Sequence, residues 1–335
     1  MLFFPDYGAS NPYQRLVYGG LRGREIEVIG LSEGDHVQLF AGDLATGPGD
    51  IVHLHWLNAI FKNAAPEDHS ALMERALDGV RKMQRRGVEV HWTIHNLYNH
   101  DIQDRALERR FRRELARTVD RVYVHHPALL AELDEWLDAT DNISFIEHGS
   151  YLGVYPDTTS CEIARQRLGF DENDFVLAVV GQIREYKDLA RYVPQIVEAM
   201  RLDSRIKLLV AGKVRCEKTR AALAEVPADR LKLVDRFIPD DEFDVYLNAA
   251  SVVLLTYRHI LTSGSLFQAL SFGRPVLAPD IGSIPCYVSD YHNGFCYTEA
   301  TFTDRLRLFL RAGPQMLRQM SDNARATAES LSWPS

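Results

Sequence analysis

Short runs of β-branched and apolar residues recur along this chain, each followed by a longer stretch with helical spacing, and the series runs twice. The first series predicts strands at 25–29, 51–55, 89–94, 121–125 and 143–147, with helices over roughly 68–86 and 101–118. A turn-rich stretch, GSYLGVYPDTTS, follows. The second series predicts strands at 175–180, 207–211, 232–234, 252–256 and 275–278, with helices near 189–201, 218–225, 240–249 and 263–272. Strands alternating with helices imply βαβ units and parallel sheets. At 335 residues the chain exceeds what one ordinary core supports. The expectation is therefore an α/β protein of two doubly wound, Rossmann-like domains facing a cleft, 1–155 and 156–335, with a hinge near 150–160. Open parallel sheets bind ligands beyond the carboxyl ends of their strands, so the segments after each strand carry the functional information.

Composition removes several classes. No apolar run approaches the roughly 20 residues that span a bilayer. The opening MLFFPDYG has no basic n-region and reaches Asp6 at once, so it does not read as a signal peptide. Cys161, Cys216, Cys286 and Cys296 form no C-x-x-C pair, which argues against zinc and a disulfide framework and fits a reducing cytoplasm. A net charge of -8 argues against a nucleic-acid partner. One segment departs from that balance: 105–117, RALERRFRRELAR, carries six arginines against two glutamates. On a helix, Arg105, Arg109, Arg112 and Arg113 share a broad face opposite Leu107, Phe111 and Leu115. That face is either simply solvated or docks on anionic lipid.

Two stretches suit a diphosphate. In FVLAVVGQIREYKD a buried strand runs to Gly181, and Arg184 and Lys187 follow in a polar loop. Arg forks onto two oxygens and Lys acts as a compact point charge. The alternative is a pair of ordinary solvated cations. In TYRHILTSGSLFQALSFGRPVLAP a strand ends at Thr256, and Thr262 or Ser263 can cap a helix beginning near Ser265. Free amides at such a terminus attract anions, and Gly264 permits close approach. A capped core helix is the bland reading of the same residues.

In order, these pieces resemble GT-B glycosyltransferases of the large family-four type. GQIREYK resembles the G-x-x-x-x-x-K motif of the donor domain, LLVAG the following strand, and FIPDDEFDVYLNAASVVLLTY the segment before the donor loop. ALSFGRPVLAPDIGSIP and NGFCY resemble the run and the loop that close it. The resemblance covers about 175–300, and more weakly the first half. It implies that Gly181, Arg184 and Lys187 hold the donor diphosphate. Phe237, Ile238 and Pro239 would hold the nucleobase edge, Thr262, Ser263, Gly264 and Ser265 phosphate or sugar, and Gln268 the ribose. The family's Glu-x7-Glu pair is absent: Ile260 and Gln268 stand in its places, which leaves retaining or inverting stereochemistry open. The loop pattern is closer to bacterial exopolysaccharide glycosyltransferases.

In the first domain, VHWTIHNLYNHD ends a strand at His95-Asn96, followed by His100-Asp101, read as a helix start with Asp101 as cap. A family histidine at this strand end faces the donor sugar, so His95 is the expected catalytic residue, able to hydrogen-bond a hydroxyl or take a proton. IVHLHWLN places His53 and His55 on one face, read as packing or acceptor contact, with Trp56 at the strand end. Gly8, Asn11, Trp56 and Asn96 form the expected acceptor side. His125-His126 is a further pair at a strand end. Asp240-Asp241 follows Pro239 as a helix start and does not form a metal motif.

The resulting expectation is a metal- and cofactor-independent hexosyltransferase. It would move a sugar from a UDP- or GDP-sugar, with a lean to GDP-mannose, onto a lipid-linked saccharide in bacterial polysaccharide synthesis. It would act in the cytoplasm, peripherally on the inner face of the plasma membrane. A nucleotide-sugar epimerase of the same fold and a non-catalytic sugar-binding subunit are the alternatives.

Overall fold

In the computed structural model, residues 1–9, 11–21, 24, 26–98, 102, 104–138 and 141–334 are described. The chain forms two compact units: Met1–His148 with Trp333–Ser335, and Gly149–Ser332. Each holds one six-stranded sheet.

The first unit contributes β1 (Leu2–Phe4), β2 (Ile29–Gly30), β3 (Ile51–Leu54), β4 (Glu89–Thr93), β5 (Arg121–Val124) and β6 (Ile143–Phe145). They lie in the order β2-β1-β3-β4-β5-β6, every pair parallel. The second unit contributes β7 (Phe175–Val180), β8 (Ile206–Ala211), β9 (Leu231–Val234), β10 (Val252–Leu254), β11 (Val276–Pro279) and β12 (Gly294–Tyr297). Their order is β12-β11-β10-β7-β8-β9, again all parallel. Strands covered by helices on both faces are apolar throughout, and all six residues of β7 are buried. The covering helices bury a stripe at helical period: in Leu189–Leu202 the buried positions are Leu189, Tyr192, Val193, Ile196, Ala199 and Met200.

The strand orders fix where ligands belong. In each sheet the winding reverses once, between β1 and β3 in the first unit and between β7 and β10 in the second. The strand ends splay apart at such a reversal and leave a crevice.

Three strands and one helix differ from the sequence reading. β1 is too short to show a period. The NGFCY segment, expected as a loop, is strand β12, and its Gly294 approaches β11 so closely that a Cβ there would lie 2.3 Å from the Val276 carbonyl oxygen. β2 is only Ile29–Gly30 rather than 25–29, at a sheet edge where few residues pair. The helix expected over 101–118 is Arg105–Thr118, with Asp104 accepting from the Leu107 amide at 2.9 Å. His100 and Asp101 lie outside the described residues.

β7 and β8 end in the closest backbone approach of the second unit's crevice. Gly212 has φ +149, and a Cβ there would lie 2.0 Å from the Gly181 carbonyl oxygen. Gly212→Ala is therefore expected to cost about 1–3 kcal/mol and to displace the Gly181 loop. A thermal midpoint equal to the wild-type value would contradict this packing.

Candidate functional site

The second unit's reversal point is lined by the loops after β7 and β10. Gly181, at the end of β7, has φ +94, a conformation that suits glycine. The chain then turns back so that Lys187 is buried, with its ammonium donating to the Val180 carbonyl oxygen at 3.4 Å. Burial, and secondarily the Arg184 cation, lowers the Lys187 pKa to about 8. Arg184 itself is exposed, and its Nε donates to Gln182 at 3.1 Å. The two loops are tied together. Thr256 donates to the Lys187 carbonyl, the Arg258 amide donates to the Tyr186 carbonyl at 2.9 Å, and the Tyr186 and Tyr257 rings stack.

The helix Gly264–Ser271 begins at the same crevice. Ser263 is buried, accepts from the Leu266 amide at 3.2 Å and donates to the Tyr257 hydroxyl at 2.9 Å. This cap leaves the Gly264 and Ser265 amides at the terminus without intrahelical acceptors. Thr262 meets the Ser283 hydroxyl at 3.2 Å, and Ser283 donates to the Leu261 carbonyl. Gly282 makes that contact possible, since a Cβ there would lie 2.2 Å from the Ile260 carbonyl oxygen. Gln268 follows one turn into the helix and is buried. Phe237, Ile238 and Pro239 follow β9, the edge strand: Phe237 is exposed, Ile238 is buried and Pro239 precedes a short 3-10 turn beginning at Asp240. Sequence reasoning missed Thr256, Tyr257 and Ser283, whose roles depend on contacts between separate loops.

In the first unit the reversal gathers His95, Trp56, Tyr7 and a set of imidazoles. His95 follows β4 and is half-buried, and its ring stacks on Trp56 with centroids 4.1 Å apart. Burial holds His95 well below the usual imidazole pKa, with repulsion from His125, His148 and His53 acting in the same direction. His53 and His55 do share a strand face, but they are buried inside the unit, which corrects the acceptor-contact reading. His125 is likewise buried: its Nδ1 donates to the Ile146 carbonyl at 2.9 Å, and burial lowers its pKa to about 4. His126 accepts from the Ala128 amide. On the expected acceptor side, the Gly8 amide donates to Asp6 at 2.7 Å, and Asn11 accepts from the Tyr13 amide at 3.0 Å. These bonds shape the βα turn, and Asn11's oxygen is committed to it.

The arginine helix departs from the sequence reading. Arg112 does not share a solvent face: it is buried and pairs with buried Glu108 at 3.0 Å. Its guanidinium also donates to the Asn96 carbonyl at 2.8 Å, fixing the loop that carries His95. Arg109 and Arg113 donate to the Trp136 and Glu135 carbonyls, at the end of the helix Leu130–Leu137 where cations suit the dipole. The exposed cations of the segment are Arg105, Arg110 and Arg117. Among the described residues, no helix is long and apolar enough to cross a membrane, and no group of three or more His, Cys, Asp and Glu is arranged to hold a metal.

The second unit's loops and helix terminus fall within a match to a known family model, described as glycosyl transferases group 1. Residues 161–327 belong to that family. A GDP-mannose:glycolipid 4-beta-D-mannosyltransferase of Xanthomonas campestris pv. campestris is 26% identical across 69% of this chain and 61% of its own length. The chain thus spans less than two thirds of that relative. A D-inositol 3-phosphate glycosyltransferase of Corynebacterium efficiens is 21% identical across 97% of this chain and 90% of its own. Among solved structures, Anabaena HepE in complex with UDP superposes with a TM-score of 0.69 at 14% identity, over 93% of this chain and 84% of that one. A sucrose-phosphate synthase of Thermosynechococcus elongatus gives 0.69 at 18%, over 84% and 70%. The fold of the chain is of the GT-B class, built from two Rossmann-like units.

Lys187 makes the pH dependence of anion binding predictable. Its pKa is about 8, and a diphosphate held against it would raise that value. Above that pH the lysine is neutral and must take up a proton to bind. Affinity for GDP or UDP is therefore expected to fall by about tenfold per pH unit above pH 8, and to be flat below it. In Lys187→Met the profile should be flat and weak throughout. Calorimetric titration across pH 7–10 checks this, and a wild-type profile flat to pH 10 would remove Lys187 from the site.

Proposed function

We propose that this protein is a glycosyltransferase that moves a hexosyl group from a nucleoside diphosphate sugar to a lipid-linked saccharide. GDP-mannose is the first donor to test, because the Xanthomonas relative's name carries it. The observation that carries the proposal is a buried Lys187 ammonium in the loop after β7 and a Ser263-capped helix terminus, with the Gly264 and Ser265 amides, in the loop after β10, the two strands that flank the sheet's reversal point. As the bond from the anomeric carbon to the β-phosphate oxygen breaks, negative charge gathers on the departing diphosphate. A pre-positioned cation and helix terminus stabilise that charge without a metal. Arg184, which is exposed, adds a second cation.

His95 serves the sugar. Held neutral by burial, it hydrogen-bonds a hydroxyl of the donor sugar rather than carrying a charge. The acceptor proposal draws on the glycolipid in the name of that same relative, and places the enzyme at the cytoplasmic face of the plasma membrane. Contact with anionic lipid is left to Arg105, Arg110 and Arg117, at about 1 kcal/mol each, a weaker patch than the four-arginine face expected from sequence.

The decisive experiment offers GDP- and UDP-sugars with a lipid-linked saccharide extract, with and without EDTA. Transfer that survives EDTA supports the proposal. Donor turnover with no acceptor present points to an epimerase, and binding without turnover points to a non-catalytic subunit. Arg184→Ala is expected to weaken diphosphate binding about tenfold. His95→Ala is expected to lower kcat about tenfold while GDP or UDP affinity stays at the wild-type value. A variant that loses affinity and keeps kcat would reverse the assignment.

A further inference from the structure

Behind His95 the first unit contains an uninterrupted line of hydrogen bonds. His95 Nε2 lies 3.0 Å from His55 Nδ1. His55 Nε2 lies 2.6 Å from the Tyr18 hydroxyl, which lies 2.8 Å from His53 Nδ1. His53 Nε2 lies 2.7 Å from the Thr93 hydroxyl. Tyr18, His53, His55 and Thr93 are all buried, and His95 alone is partly exposed. The line therefore has one outer end, the Nδ1 atom of His95.

Its chemistry allows only two states. A neutral imidazole carries one N–H and one lone pair, and burial disfavours the charged form at all three histidines. Tyr18 has one hydrogen to share between two imidazoles, so one of them must donate to it and the other accept from it. Each imidazole then passes that sense to its other nitrogen. The four bonds must all run the same way. If His53 donates to Thr93, then His53, His55 and His95 all carry hydrogen on Nε2, and His95 shows a bare Nδ1. If Thr93 donates to His53, all three carry it on Nδ1, and His95 shows an N–H.

We propose that Tyr18, with His55, His53 and Thr93, is a positioning set that locks His95 in a single neutral tautomer, so that its outer nitrogen presents one fixed hydrogen-bonding sense to a saccharide hydroxyl. The stack of His95 on Trp56 holds the ring plane, and the line holds the proton. A fixed sense distinguishes a hydroxyl that must donate from one that must accept. The inference rests on the reading that His95 faces sugar, but it makes a statement about tautomers that is independent of turnover.

The test is long-range 1H–15N correlation on histidine-labelled protein, which separates the two neutral tautomers. His125, with Nδ1 on a carbonyl oxygen, serves as an internal reference for the Nδ1–H form. His53, His55 and His95 are expected to be neutral at pH 7 and to share one tautomer. In Tyr18→Phe, which keeps the ring, and in Thr93→Val, which removes the far end, His95 should show both tautomers. Tyr18→Phe should also lose about tenfold in kcat with the donor KM unchanged. Different tautomers among the three wild-type histidines, or a His95 unchanged in both variants, would overturn the proposal. A shared tautomer together with full turnover in His95→Ala would keep the line and reject the role of His95 in turnover.

Discussion

A positive charge kept away from water needs a reason, and among the described residues the Lys187 ammonium donates to a carbonyl oxygen at 3.4 Å, where a carboxylate would be the ordinary partner. The rest of the second unit is arranged around that charge. Gly181 turns the chain with a positive φ, Gly212 lets the neighbouring strand end close in, and Thr256 ties the Lys187 backbone to the loop after β10. Ser263 then directs a helix terminus to the same crevice. None of these contacts is strong alone. Together they place cation and dipole where the sheet's winding reverses, at the strand ends where a doubly wound fold opens.

The first unit uses the same topology with opposite electrostatics. Its reversal point gathers imidazoles that burial keeps neutral, and Arg109, Arg112 and Arg113 are committed to carbonyls within the unit. Glu108 neutralises Arg112 and also pairs with Arg105, and removing Glu108 would strand the buried Arg112 charge, at a cost of about 3–5 kcal/mol. Arg112 in turn fixes the carbonyl of Asn96, next to His95. One unit thus offers charge suited to a diphosphate, and the other offers uncharged hydrogen-bonding groups suited to hydroxyls.

Much of this was legible in sequence because strand and helix periods are local. The two series of βαβ units, Lys187 after a buried strand, and a capped helix at Ser263 all follow from short segments. What was not legible depended on partners distant in sequence. The arginine cluster read as a surface face because Glu108 lies one turn away on the same helix and gives no sign of being buried, and because Trp136 and Glu135 lie more than twenty residues on. His53 and His55 showed their shared face, but Tyr18, about 35 residues earlier, carried no signal linking it to them. The edge strands β2 and β12, and β1 beside β2, were missed or misplaced because short strands at or near an edge lack the length to reveal a period.

The most direct test of the central claim is a crystal structure of the protein with GDP or UDP bound. The account predicts that the β-phosphate lies against the Lys187 ammonium and the Gly264 and Ser265 amides, in the crevice between β7 and β10. A nucleotide whose diphosphate lies elsewhere, with Lys187 still bonded only to the Val180 carbonyl, would contradict it.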